Sequence, residues 1–395
     1  MMATAGRRSL RIGGRQAAFY SIFLVSDQAV CDYRTMDDRW SWLDVGQRVR
    51  ESRVAAGLSQ EDLARKIGLG RTMIAKIESG KRGMDALELA KFARTLGVPL
   101  GHFLTRPPEV LSHRAELSDD NASEAEAQSY RMDASLQEWL ADIRQLITLG
   151  VLQVPERRGC PASVEDHGSA RRVALWVRAE TGWNLDPIDS LMTVCESMGQ
   201  LVAVVEIPGD GASLIDGEVG AAVVSRIGDP GRRRTTAAHE LGHFVVGDEY
   251  SNDLGVHTSR VDREKIINSF AAELLLPLSV VRAQAVSGVC SRKELIKLAA
   301  SYRTSWTLAV SQAVTAGVAE RSLSRNTPTR AEFLEAVGWA PQPDLESVRV
   351  PPVFAQAVLE AWRQSMITST RAVEMMRGEL EISDLPGRDE SDVEP

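Results

Sequence analysis

Apolar residues return at helical spacing between residues 45 and 105, and glycines cut the run into short pieces. The pattern predicts a helix over 45–56 stopped by Gly57, a second over 60–67, a third over 71–79 ended by Gly80, and a fourth over 85–96. Ser59, with Asp62 three residues on, has the spacing of a reciprocal N-cap, and Gly68 and Gly70 force the turn that follows. From 106 to 131 the periodicity dissolves into Pro107-Pro108 and an acidic, Ser/Ala-rich stretch, the composition of a linker.

Amphipathic helices are predicted again over 133–149, 169–181 and 187–198, followed by an apolar β-rich run over 201–207. Turns at Gly209-Asp210-Gly211 and Asp216-Gly217 separate it from a second strand over 221–226. These elements predict a small, twisted antiparallel sheet beside the helix that follows, with the strand just ahead of that helix as a free edge for an extended peptide. The helix itself is read from the buried face Ala237, Ala238, Leu241, Phe244 and Val245, with Thr235 or Thr236 as its cap. Another helix over 262–276 ends at Pro277, and a helical pair follows over 293–300 and 305–316. Beyond Arg321 come helices over 329–337, 352–368 and 369–380, then an acidic tail over 389–394 read as disordered. Trp306, Trp339 and Trp362 read as packing residues.

A chain of 395 residues, 44% hydrophobic and 25% charged, is long enough for two or three cored domains. The boundaries read from the pattern are an N-terminal extension over 1–40, a domain over 45–105, a linker over 106–131, a second domain over 132–317, a helical C-terminal region over 318–386 and the tail over 387–395. The formal net charge of -8 argues against nucleic-acid contact along the whole length. Residues 45–105, however, carry eleven Lys/Arg against six Asp/Glu, a surplus of five that leaves -13 on the rest. Attraction for phosphates is thus confined to one domain.

Cys31, Cys160, Cys195 and Cys290 form no Cys-x-x-Cys pair, which suits neither a disulfide framework nor a cysteine zinc site and points to a reducing compartment, the cytoplasm. No apolar run is long enough to span a bilayer, so no membrane partner is expected. Residues 17–25, behind Arg7, Arg8, Arg11 and Arg15, faintly resemble a signal peptide, but the run is short, includes Ser21 and lacks a small-x-small cleavage site. Met36 offers an alternative start.

The chemistry concentrates in His239-Glu240-Leu241-Gly242-His243. Two histidines four apart project from one helix face and can grip one ion, and Glu240, one position on from the first, is placed to act as general base on the attacking water. Catalytic zinc needs a third protein ligand and an open fourth position. No histidine follows six residues on, which leaves a carboxylate from the helix over 262–276, either Glu264 or Glu273. Glu264 and Asn268 share a face, so Glu264 can bind metal while Asn268 hydrogen-bonds a ligand or backbone. Glu273 sits in an apolar string where an unpaired buried carboxylate is costly.

Two resemblances organise these observations. Leu58-Ser59-Gln60-Glu61-Asp62-Leu63-Ala64 leading to Ile74-x-x-Ile77-Glu78-x-Gly80-Lys81-Arg82 resembles the phage-repressor-like (XRE-type) helix-turn-helix domain, with Gly70 where that family usually has Ser or Thr. The resemblance implies duplex DNA as a partner, with Arg71, Thr72 and Met73 facing base edges and Lys76, Lys81 and Arg82 holding the phosphate backbone. The alternative is a small helical bundle whose basic face binds protein. His-Glu-Leu-Gly-His followed by Glu264-x-x-x-Asn268-x-Phe270-Ala271-Ala272-Glu273-Leu274-Leu275-x-Pro277 resembles the ImmA/IrrE metallopeptidases over about 169–317. That resemblance implies Zn2+ held by His239, His243 and Glu264, with Glu273 as a structural or substrate-side acid and the less favoured alternative ligand.

The expected fold is mainly α with a small sheet: a five-helix-type helix-turn-helix domain, an α+β zincin-like domain and a helical C-terminal region. The expected function is a DNA-binding zinc endopeptidase that cleaves a protein partner, a transcriptional repressor. The alternative is a regulator or antitoxin-like component whose metal domain senses or binds without proteolysis. Arg232-Arg233-Arg234 read as a solvated loop, His257 as a surface residue, and Tyr250 as a weak candidate for oxyanion stabilisation.

Overall fold

The computed structural model describes residues 41–104, 110–114, 122–160, 162–207, 209–227, 230–247, 257–339 and 349–387. The readings of residues 1–40, of Tyr250 and of the acidic tail lie outside them. The fold is mostly helical with one small sheet.

The N-terminal helices follow from their caps. α1 (Trp42–Ala55) and α2 (Gln60–Ile67) each start at a serine, Ser41 and Ser59, whose side chain and backbone exchange hydrogen bonds with an aspartate three residues on, Asp44 and Asp62. α3 (Arg71–Glu78) starts at Gly70 with no side-chain cap, and α4 (Ala86–Leu96) starts at Asp85, whose carboxylate accepts from the Glu88 amide. Gly68 and Gly97 end α2 and α4 in the left-handed conformation that glycine reaches without a Cβ clash. Val49, Leu63, Ile74, Phe92 and Phe103 fill the centre between these helices, each contributing roughly 1.5–3 kcal/mol by burial.

The fifth helix of this bundle is borrowed. α5 (Ala122–Thr148) is 27 residues long, about 40 Å at the α-helical rise, and it packs into the N-terminal core through Tyr130 and Ala134. That contact is polar at its centre. The Tyr130 hydroxyl shares a hydrogen bond with Ser52 Oγ at 2.8 Å and meets His102 Nε2, whose Nδ1 lies 3.2 Å from Gln137 Oε1. Further along, Trp139 donates from Nε1 to the Leu201 carbonyl at 2.9 Å and packs on Phe354 with ring centroids 4.4 Å apart. One helix therefore belongs to two cores. It begins inside the segment read as a linker, which also supplies a strand, β1 (Val110–Arg114).

The sheet is built from β1, β2 (Gln200–Val205), β3 (Gly211–Asp216) and β4 (Val219–Ser225) in the order β1-β3-β4-β2. β1 and β4 both run antiparallel to β3, but β2 runs parallel to β4, which corrects the all-antiparallel expectation. The cause is the β3–β4 hairpin, which turns through Gly217 and Glu218 and folds β4 back into the slot between β3 and β2. β4 is therefore a central strand, buried along its whole length, and not the free edge expected of the strand ahead of the helix that carries His239 and His243.

Side chains alternate across the sheet. Leu201, Ala203, Val205, Ala212, Leu214, Ala221 and Val223 face a layer made of α5 and α14 (Pro352–Arg363). Val202, Val204, Ala222 and Val224 face the opposite layer, which holds α6 (His167–Glu180), α7 (Leu191–Ser197), α8 (Pro230–Val246) and α9 (His257–Leu275). Between α9 and α14 the chain forms α10 (Leu278–Ala283), α11 (Arg292–Ser301), α12 (Trp306–Thr315) and α13 (Arg330–Val337). The C-terminal helices are thus one outer layer of the sheet's own core. Asp142 of α5, almost fully buried, ties them down by accepting from Arg371 of α15 (Ser369–Met375) at 2.5 Å and from Arg377 at 2.7 Å. Among the described residues no helix is long and apolar enough to cross a membrane.

Candidate metal centre

α8 begins at Pro230, a residue whose fixed φ suits the first helical position. Thr235 and Thr236, expected as caps, lie inside the helix, and Thr235 Oγ1 donates back to the Gly231 carbonyl at 2.9 Å. The three arginines ahead of the motif are helical as well. Arg232 forms a two-bond pair with Asp210 at 2.8 and 3.0 Å, Arg233 donates to the Arg226 carbonyl at 2.6 Å, and Arg234 donates to the Ile188 carbonyl at 2.7 Å. Arg233 and Arg234 are buried, so the solvated-loop reading fails for them. Burial lowers the Arg234 guanidinium to about 9, with Arg303 adding repulsion. These arginines anchor the start of α8 to the sheet and to the segment around Ile188.

One helical turn apart, His239 and His243 point the same way, with their Nε2 atoms 3.1 Å apart and both rings fully buried. α9 brings in the third group: Glu264 Oε2 lies 3.0 Å from His239 Nε2 and Glu264 Oε1 lies 3.7 Å from His243 Nε2. One ligand atom from each residue falls within 4.8 Å of the others. Two imidazole nitrogens and a carboxylate oxygen at this separation form a donor set that fits one zinc ion. Asn268, one turn along α9 from Glu264, places Oδ1 3.1 Å from His239 Nδ1. A hydrogen bond there fixes the ring and leaves Nε2 as the nitrogen facing Glu264.

Gly242 makes this approach possible. A Cβ at that position would lie 2.9 Å from both Ile267 Cγ2 and Phe270 Cδ1, so only glycine lets α9 sit this close to α8. Glu273, the other candidate acid, lies elsewhere on α9. It accepts from Arg171 at 2.8 Å and from the Leu278 amide at 3.1 Å, with Gln312 Nε2 at 3.5 Å, a buried junction that joins α6, α9 and α12 (Trp306–Thr315). Its partners are those of a structural acid.

Glu240 is fully buried between α8 and the sheet. Ser213 of β3 donates from Oγ to Glu240 Oε2 at 2.7 Å, and Gln200 Nε2 of β2 donates to the Glu240 carbonyl at 3.2 Å. Neither residue was singled out from the sequence. The available signal was a serine among apolar neighbours on a strand, on the opposite side from Ala212 and Leu214. His257 is the first residue of α9; its side chain lies outside the described set.

In the N-terminal domain, Arg71, Thr72, Met73 and Lys76 of α3 are exposed, opposite the buried Ile74 and Ile77. Glu78, at the end of α3, is buried and accepts from Arg53 Nε at 2.6 Å and Gln60 Nε2 at 2.8 Å, which fixes α3 against α1 and α2. Lys81 is exposed, whereas Arg82 is held by Glu88 at 2.7 Å.

Comparison with known proteins divides along the same lines. Residues 49–103 match the helix-turn-helix family model, and residues 223–311 match the model of the IrrE N-terminal-like peptidase domain. A protein of Rhodospirillum rubrum described as an uncharacterized transcriptional regulator in the ATPase CF(0) region is 44% identical over 61 residues, 15% of this chain. The match covers 56% of that relative's own length. Two segments of the chain thus match known families in order, a helix-turn-helix domain over 49–103 and an IrrE-like peptidase domain over 223–311, the second match enclosing His239, Glu240, His243 and Glu264.

Proposed function

We propose that the chain is a DNA-binding regulatory zinc endopeptidase, acting in the cytoplasm, that cleaves a protein partner of the transcriptional-repressor class. The observation that carries this reading is the meeting of His239, His243 and Glu264 one residue away from a buried Glu240. A buried carboxylate is costly unless it is hydrogen-bonded, and the chain meets that cost for Glu240 next to the two histidines with a donor from Ser213, which supports a role for it at this site. His239, His243 and Glu264 would hold the ion, and bound zinc supplies Lewis acidity that polarises the scissile carbonyl. Glu240 then acts as general base, accepting a proton from the attacking water on its carboxylate and returning it to the leaving amine. Asn268 holds the His239 ring in place. The exposed face of α3, with Arg71, Thr72 and Met73 toward base edges and Lys76 and Lys81 toward phosphates, supports placement of the peptidase on duplex DNA. Arg82, engaged by Glu88, contributes charge from a fixed position.

The test is incubation of the purified full chain with repressors encoded near its own gene, followed by mass spectrometry, together with zinc analysis. The wild type is expected to hold about one zinc per chain and to cut one of them at a defined bond. Glu264→Gln is expected to lose both zinc and cleavage, while Glu273→Gln keeps its zinc. Zinc loss in Glu273→Gln alone would contradict the ligand set, and intact repressors with fully zinc-loaded wild type would contradict the peptidase reading.

A further inference from the structure

Resting on the peptidase reading, we infer that Ser213 is a positioning residue that sets the orientation of the Glu240 carboxylate, with Gly211 letting the helix that carries Glu240 lie close to the strand. The strand alternation supplies the geometry. Ala212 and Leu214 face the α5 layer, so Gly211 and Ser213 face α8 from one side of β3. At Gly211 a Cβ would collide with Thr236 Cγ2 at 2.7 Å and the Val223 carbonyl at 2.9 Å, while meeting Glu240 Cγ at an ordinary 3.5 Å, so this glycine lets α8 lie close against β3. Two residues on, the fully buried Ser213 donates to Glu240 Oε2 at 2.7 Å. The strand is held on both sides, by β1 and by β4, so the serine has a rigid base. From the other direction Gln200 holds the Glu240 main-chain carbonyl at 3.2 Å. A glutamate side chain has three torsions to fix, and a carboxylate anchored by one oxygen has the position of its second oxygen determined by its own planar geometry. General-base work requires that position to be set before substrate arrives.

The test uses the zinc-loaded full chain and the Ser213→Ala, Ser213→Thr and Glu240→Gln variants. Infrared difference spectra identify the Glu240 carboxylate band as the one lost in Glu240→Gln. That band is expected to shift in Ser213→Ala and to stay in place in Ser213→Thr, which keeps the hydroxyl. In parallel, acetohydroxamic acid, a small zinc chelator whose hydroxyl proton needs a neighbouring base, is titrated into each protein. Its affinity is expected to fall about tenfold in Ser213→Ala, the scale of one lost charge-assisted hydrogen bond, and to return in Ser213→Thr. A carboxylate band unmoved in Ser213→Ala, or acetohydroxamic acid bound as tightly as by wild type, would overturn the inference. Failure of the wild type itself to bind the probe would count against the zinc-site reading, and the infrared comparison would still decide the role of Ser213.

Discussion

Replacing Gly242 with alanine tests whether the close packing of α8 and α9 is what assembles the centre. The new methyl would sit 2.9 Å from Ile267 Cγ2 and 2.9 Å from Phe270 Cδ1, whereas carbon atoms prefer about 3.5–4.0 Å. The helices must therefore separate by roughly 0.6–1 Å at that point or carry the strain. Overpacking of this kind costs about 1–3 kcal/mol, against which alanine regains about 0.5–1 kcal/mol of helix propensity. Ile267 is one turn from Glu264, so separation at Gly242 draws the carboxylate away from the two histidines. Metal-free protein can relax by letting the helices part, but metal-loaded protein cannot. A net cost near 1.4 kcal/mol corresponds to a zinc affinity about tenfold weaker. Competition with a chelator of known affinity measures this, with circular dichroism as a check that the helices persist. Adding Ile267→Ala, which removes one of the two clashing carbons, is expected to restore part of the affinity. Zinc bound by Gly242→Ala within twofold of wild type would refute the reasoning.

Binding of the full chain to duplex DNA is expected to weaken steeply as salt rises, because the basic surplus of residues 45–105 displaces counterions. Lys81→Ala should lower the salt slope by about 1 for all sequences alike, whereas Arg71→Ala should relax sequence preference, as fluorescence anisotropy on several duplexes would show. Acid should loosen the contact between α5 and the N-terminal domain. Burial depresses His102 to about 4 from 6.5, so the unfolded chain binds more protons between those values; the stabilisation is complete above 6.5 and lost as pH falls toward 4. Burial raises Asp133 to about 7, an opposing contribution that is present in acid and fades as pH rises from 3.8 to 7. Melting curves from pH 8 to 4.5 should therefore fall less steeply in His102→Gln than in wild type and more steeply in Asp133→Asn, and parallel curves for all three would contradict these assignments.

Much of this organisation was legible in local pattern. Ser59 with Asp62, and the glycines at 57, 68 and 80, mark the N-terminal helices because caps and left-handed turns depend on neighbours in sequence. The four-residue spacing of His239 and His243 placed both rings on one face for the same reason. What escaped depends on contacts between distant segments. The parallel pairing of β2 with β4 follows from where a hairpin inserts, and no alternation pattern records it. The roles of Glu264 and Glu273 separate only when Arg171, the Leu278 amide and Gln312 gather around the second. Arg233 and Arg234 look like surface charges until backbone carbonyls from other segments are seen to receive them. α5 hid its double membership because residues for the two cores interleave along it, Tyr130 and Ala134 serving the N-terminal core and Met132 and Leu136 the sheet.

The most direct test of the central claim is cleavage by Glu240→Gln measured on protein whose zinc content has been verified. On the proposed reading Glu240 carries a proton and does not hold the ion, so the variant is expected to contain as much zinc as wild type and to bind DNA equally well. Its cleavage of the partner, followed by mass spectrometry, is expected to be slower by about two to four orders of magnitude. Cleavage at the wild-type rate by fully zinc-loaded Glu240→Gln would contradict the account.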